Sequence, residues 1–128
     1  MVAGHEKSLM SSKNVHCDTY DAEQESIFHG DCTNALKKFN VKNHNIVISG
    51  PEVAVVCSTC ELAVNASAKV HGQTLAVPYA WVEEATKIGN DAEEQCHEGP
   101  RSVAFTDSRN SNNTITVFLR YAAPGSLC

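Results

Sequence analysis

Six cysteines, at positions 17, 32, 57, 60, 96 and 128 of a 128-residue chain, constrain this protein more than any other feature. Their count is even and their spacing long, the arrangement of disulfides that close large loops in an oxidising compartment. Each closure restricts the unfolded chain and is typically worth about 2–4 kcal/mol. A core of Val, Ala, Ile and Leu with only 6% aromatic residues gains much from such staples.

Two other uses of cysteine compete with this one. Cys57-Ser-Thr-Cys60 has the spacing of zinc and redox sites, and Cys96-His97 could complete a metal set. A zinc knuckle, however, holds its pair in a tight turn. Val53 to Val64 reads instead as one β-rich run, in which Val56, Cys60, Leu62 and Val64 share one face and Val53, Val55 and Cys57 the other. Cys57 and Cys60 are thus expected to take separate disulfide partners, and no metal or other cofactor is expected. A redox motif would begin a helix, which this one does not.

The periodicity predicts a single α+β domain over residues 14–128, preceded by a flexible tail at 1–13. The opening lacks the apolar core of a signal peptide, although the rest of the chain has the character of an exported protein. We therefore expect a secreted, extracellular chain that begins at a new start. An extended segment, Asn14 to Tyr20, carries Cys17. Asp31 is the expected N-cap of a helix through Phe39, with Cys32, Ala35, Leu36 and Phe39 on its apolar stripe. Asn45–Ser49 and Val53–Val64 are expected to pair as antiparallel strands across Gly50-Pro51. After a polar loop from Ala66 to Thr74, Pro78 introduces a second helix from Tyr79 to about Cys96, with Val82, Ala85, Ile88, Ala92 and Cys96 in a stripe and Gly89 as a weak point or kink. Gly99-Pro100 stops it, and Arg101–Thr106 with Thr114–Tyr121 form a hairpin around Asp107–Asn113. The expected architecture is an antiparallel sheet with two helices packed on one face, a split βαβ-like sandwich stapled by disulfides.

Function is constrained mainly by what is missing. Net charge is −5, so there is no broad positive field for nucleic acid. No apolar run is long enough to insert into a bilayer. The six histidines, His5, His16, His29, His44, His71 and His97, lack metalloenzyme spacing. His97-Glu98 beside Cys96 is more simply a helix C-terminal cap than an acid–base pair. Glu83-Glu84 and Glu93-Glu94 read as the solvated face of the second helix, although paired carboxylates would also serve a glycosidase. A ribonuclease would have only Arg101, Arg109, Arg120 and seven scattered Lys for phosphate. Nucleophile-elbow and phosphate-loop glycine patterns are absent.

Recognition is therefore expected on loops, with Lys69 and His71 in one and Asp107, Arg109 and Asn110 in the other. Plain connecting loops are the competing reading of both. Asn65-Ala-Ser67 and Asn112-Asn-Thr114 are N-glycosylation sequons, which require exposed asparagines if used.

Gly30-Asp31-Cys32-Thr-Asn-Ala-Leu36, Ser58-Thr-Cys60-Glu-Leu-Ala-Val64, a second helix ending in Cys96 before Gly99, and a final strand followed by Cys128 together resemble the fungal killer-toxin-like proteins. That family includes the virally encoded corn-smut toxins and related cysteine-rich effectors of plant-associated fungi. The likeness spans most of residues 17–128, with Pro100-Arg101-Ser102 standing where a Gly-Gly element often follows the helix. The resemblance implies action by binding rather than catalysis, on a protein, glycan or membrane-protein target outside the producing cell. The alternative is a small secreted hydrolase.

Overall fold

The computed structural model describes residues 14–68 and 72–128. The 1–13 tail with His5, and the loop residues Lys69 and His71, lie outside the described residues. In chain order the elements are β1 (Asn14–Cys17), α1 (His29–Leu36), β2 (Val41–Lys42), β3 (Asn45–Ile48), β4 (Glu52–Cys57), β5 (Cys60–Ala66), β6 (Leu75–Pro78), α2 (Tyr79–Asp91), β7 (Arg101–Asp107) and β8 (Asn110–Tyr121). All pairings are antiparallel. They make a five-stranded sheet, β1-β7-β8-β5-β4, and a three-stranded one, β2-β3-β6. The expected disulfide-stapled α+β fold is thus present.

Register determines which side chains the large sheet buries. Directly opposite residues share a face, so Val55, Leu62, Leu119 and Arg101 lie in one row, and Val53, Val64, Val117, Val103 and Val15 in another. Leu62, Val64, Val103, Val117 and Leu119 are fully buried on this inner face. Burying each such side chain is worth about 1.5–3 kcal/mol. α1 covers this face over β4 and β5, and α2 over β7 and β8. Ile46, Ile48 and Val77 of the small sheet complete the same core.

Two sequence expectations are corrected here. Val53–Val64 is not one strand, because Ser58 and Thr59 turn the chain back and place Cys57 directly opposite Cys60. Ser58 has φ 53°, as the first turn position of a tight hairpin requires. This reversal puts Val53, Val55 and Cys57 on the same face as Cys60, Leu62 and Val64. The cysteines still take separate partners. The turn also gives β4 a nearer mate than β3, which pairs instead with β6, a strand hidden in sequence within the run before α2.

Both helices depart from their apolar stripes: α1 begins and ends three residues earlier than expected, and α2 is shorter. Phe28, not Asp31, occupies the N-cap of α1, and no side chain of that residue caps it. Its job is done from elsewhere: Phe28 N–H donates to Thr59 Oγ1 (2.9 Å) and His29 N–H to Glu93 Oε2 (3.2 Å). Asp31 instead accepts from the Thr59 N–H (3.1 Å) and hydroxyl (2.6 Å), tying the helix to the β4–β5 turn. α2 ends at Asp91, and turns carry the chain on to Cys96. Gly89 is a point of close packing, since a Cβ there would sit 2.9 Å from Leu119 Cδ1.

All six cysteines are paired, as Cys17–Cys96, Cys32–Cys60 and Cys57–Cys128. A zinc site needs thiolates, so the metal reading of Cys57, Cys60, Cys96 and His97 is overturned.

Candidate functional site

The predicted recognition segment Asp107–Asn113 is mostly strand. Asp107 closes β7, Ser108 and Arg109 form the turn, and Asn110 opens β8, with a register shift at Thr106/Asp107. The exposed-connector expectation fails for Asp107 and for Asn113, which are 2% and 1% accessible. Their sequence is polar because they satisfy one another inside the fold, not because they meet solvent.

Asp107 organises the tip. Its Oδ1 accepts from the Arg109 backbone N–H at 2.8 Å and from Arg109 Nε at 3.0 Å. Its Oδ2 accepts from Arg109 Nη2 and from Asn113 Nδ2, both at 3.0 Å. Burial would raise the Asp107 carboxyl, but the hydrogen bonds from Arg109 and Asn113, with the guanidinium charge, hold it below the usual carboxylate range. Asn113 Oδ1 accepts the Ala68 N–H at 2.9 Å, and Ser67 and Thr114 exchange two further bonds. The hairpin tip and the segment after β5 therefore form one body.

Arg109 is the member of this cluster that faces outward, with 43% of its side chain exposed. Its guanidinium lies 5.0 Å from the Trp81 ring centroid, and Trp81 in turn meets Phe105 edge-on at 6.0 Å. Held by a fork of hydrogen bonds on one side and an aromatic ring on the other, this cation is displayed in a fixed orientation. Asn110, Ser111 and Asn112 are exposed beside it. Trp81 and Asn113 were not singled out from sequence. The usable signal was Asp-x-Arg at a hairpin turn, since Asp at such a position bonds the backbone two residues on.

The groups considered for acid–base chemistry are scattered. His29 Nδ1 lies 3.3 Å from both Glu93 oxygens, and Asn90 Nδ2 donates to Thr33 Oγ1 at 3.1 Å, so this polar patch joins α1 to the end of α2. His97 packs on Tyr20, with ring centroids 5.5 Å apart. It lies within the turns that follow α2, past the Ala92 C-cap, with φ 56° at His97 and 59° at Glu98, so the helix-cap expectation for it does not hold. His16 faces Asp18 at 3.4 Å on the exposed edge of β1. Among the described residues no His/Cys/Asp/Glu group has metal-binding geometry, and no helix is long and apolar enough to cross a membrane.

The three arginines have different structural roles. Arg101, read as a candidate phosphate contact, is fully buried. Its Nε donates to Gly89 O and its Nη1 to Gly99 O, each at 2.7 Å, clamping the end of α2 to β7. Arg120 makes paired bonds to Glu52 at 2.8 and 3.0 Å and lies over the Phe118 ring on the outer face of the large sheet. The Arg120 hydrogen bonds and charge hold the Glu52 carboxyl below its ordinary range against a smaller opposing effect of burial.

The sequons also separate. Asn65 is half-buried in β5, and its Nδ2 donates to Pro51 O at 2.9 Å. Asn112 is exposed at the hairpin tip. A glycan on Asn112 would stand next to Arg109, whereas one on Asn65 would displace an existing bond.

Comparison of the chain with protein-family models and with curated proteins yields no match.

Proposed function

We propose that this is a secreted binding protein of the effector or killer-toxin-like kind, acting on a host or competitor target outside the producing cell without turnover. The observation that supports it best is the hairpin tip, where Arg109 is held outward by the buried Asp107 carboxylate and by Trp81. A preoriented guanidinium flanked by exposed Asn110 and Asn112 costs little entropy to dock, and arginine is among the residues that dominate binding surfaces. Three disulfides fit a scaffold that must keep this geometry outside the cell.

The test is addition of the oxidised protein to fungal and plant cells, reading saturable surface binding, growth and defence responses. Arg109→Ala is expected to weaken binding by about tenfold or more, as loss of a central anchor does, while leaving the circular-dichroism spectrum unchanged. Equal binding by Arg109→Ala would remove the tip from the reading. Release of fragments from RNA, glycans or peptides by the same preparation would favour the hydrolase instead.

A further inference from the structure

Away from the hairpin tip, a groove of about 470 Å³ opens between the β2–β3 turn and the first turn of α2. Val41, Asn43, His44, Asn45, Tyr79 and Glu83 line it. Its walls are fixed before any ligand arrives. Asn43 and His44 both have positive φ, 51° and 67°, the conformation of the tightest two-residue hairpin turn. Asn45 Nδ2 donates to Asn43 O at 3.0 Å, and the Tyr79 N–H donates to His44 O at 2.9 Å, so the turn is bolted to the start of the helix. The volume falls within the range of small-molecule sites.

The lining is selective in its chemistry. Tyr79 offers a half-exposed ring and Val41 an exposed apolar neighbour. Asn43 and Asn45 carry amide groups that can donate and accept, Glu83 is an acceptor, and His44 supplies ring nitrogens. Burial, reinforced by the Glu83 charge, raises the Tyr79 phenol above its ordinary range, and a protonated phenol can both donate and accept. An anion would meet Glu83 with no Lys or Arg among the described lining residues to offset it. A wholly apolar ligand would leave the amides and carboxylate without partners. A neutral polyhydroxylated ring satisfies both demands, with C–H groups to lie on Tyr79 and hydroxyls that donate and accept.

We propose that this groove binds a neutral carbohydrate, with Tyr79 as the stacking platform and Asn43, Asn45 and Glu83 as hydroxyl partners. The assignment rests on reading the protein as a non-catalytic binder and gives that reading a ligand class. In the fold, the small sheet then has a role beyond completing the core, since its hairpin turn supplies one wall of the site.

The experiment is titration of the oxidised, ¹⁵N-labelled protein with laminaritetraose, cellotetraose, chitotetraose and mannotetraose in separate NMR series, with tetramethylammonium chloride and sodium phosphate as comparison probes. At least one tetrasaccharide is expected to shift the amides of residues 41–45 and 79–83 saturably, with a Kd of about 0.1–1 mM. Tyr79→Ala should weaken that Kd by about tenfold, and Glu83→Gln by about threefold. If Tyr79→Ala loses its dispersed spectrum, Tyr79→Leu and the exposed Glu83→Gln supply the measurement. The proposal is overturned if no tetrasaccharide moves these amides at about 10 mM, a concentration that detects even millimolar affinity. It is equally overturned if tetramethylammonium or phosphate moves them as strongly, or if the variants bind like the parent. Cleavage of a tetrasaccharide, visible in the same spectra, would overturn the non-catalytic reading while leaving the groove as a sugar site.

Discussion

The two ends of the large sheet are held by different chemistry. At one end, Cys57 and Cys60 face each other across the β4–β5 turn, Tyr121 pairs with Cys60, and Cys17 pairs with Arg101, so every disulfide enters the sheet there. At the other end, beyond the Ala66–Ile115 and Phe105–Ile115 pairs, the strands are tied by Asp107, Arg109, Asn113 and the Ser67–Thr114 bonds. Covalent staples restrict the unfolded chain whatever the solvent. A polar cluster depends on charge state and on the exclusion of water. One end is therefore built to persist under changing conditions, and the other to present a charged side chain at a defined angle.

The largest expected effect is on the covalent end. Loop separations of 79, 71 and 28 residues correspond in the chain-entropy account to about 4.5, 4.4 and 3.6 kcal/mol. Their combined loss exceeds the lower part of the usual stability range of about 5–15 kcal/mol. Full reduction with thiol alkylation should abolish the dispersed NMR spectrum and binding together. A reduced chain that stays folded would show that the core alone suffices. Removing one pair at a time then ranks the staples. On loop length alone Cys32–Cys60 contributes least, but both of its sulfur-bearing residues are fully buried. A Cys32→Ala, Cys60→Ala double variant that loses more stability than Cys17→Ala, Cys96→Ala would show that packing outweighs loop entropy.

The polar end should be weaker and sensitive to acid. Asp107→Ala leaves Asn113 Nδ2 and the turn N–H of Arg109 without their acceptor, a loss of about 1–3 kcal/mol in urea denaturation. Arg109→Ala should cost less stability while removing the displayed cation, which separates holding the tip from using it. The sign of the pH effect follows from the depressed Asp107 and Glu52 carboxyls. Such groups contribute stability that is complete above their unfolded pKa of about 4 and is lost as pH falls through the lower folded values. Stability measured from pH 7 downward should therefore be flat to about pH 5 and then decline. Asp107→Asn should flatten part of that decline, and an unchanged slope would mean that other carboxylates govern it.

How much of this was legible in the chain differs between the two ends. Cys32 and Cys96 fell on apolar stripes. Separate partners for Cys57 and Cys60 were expected from opposite faces of one strand, whereas the two residues share a face and still bond to Cys128 and Cys32. The missed element was the Ser58–Thr59 turn, because no Gly, Asn or Asp marks it and a β-rich run on either side hides a two-residue reversal. Once that turn was unseen, the pairing of β3 with β4 was the nearest local solution, and β6 had no strand to join. At the polar end, Asp107 to Asn113 read as a solvated loop because sequence reports polarity without reporting its partner. The Asp107–Arg109 bonds are local, but the contact of Arg109 with Trp81 and the bond from Ala68 to Asn113 come from segments distant along the chain. The groove beside Tyr79 was invisible for the same reason.

The smallest effect concerns that hidden turn. Ser58 adopts φ 53° at the first position of the β4–β5 hairpin, where an L-residue is strained and glycine is not. Its backbone N–H donates to Leu127 O at 3.4 Å, a bond that a substitution without a side chain keeps. Ser58→Gly should therefore stabilise the oxidised protein by up to about 1 kcal/mol, the relief of strain being reduced by the greater freedom of glycine when unfolded. The sign is informative about the covalent end. With Cys57 and Cys60 each bridged, to Cys128 and Cys32, the turn is held whatever residue occupies it. The gain should then shrink in a Cys57→Ala, Cys128→Ala background if the staple is what forces Ser58 into this conformation. A gain of equal size in both backgrounds would assign the strain to the hairpin itself.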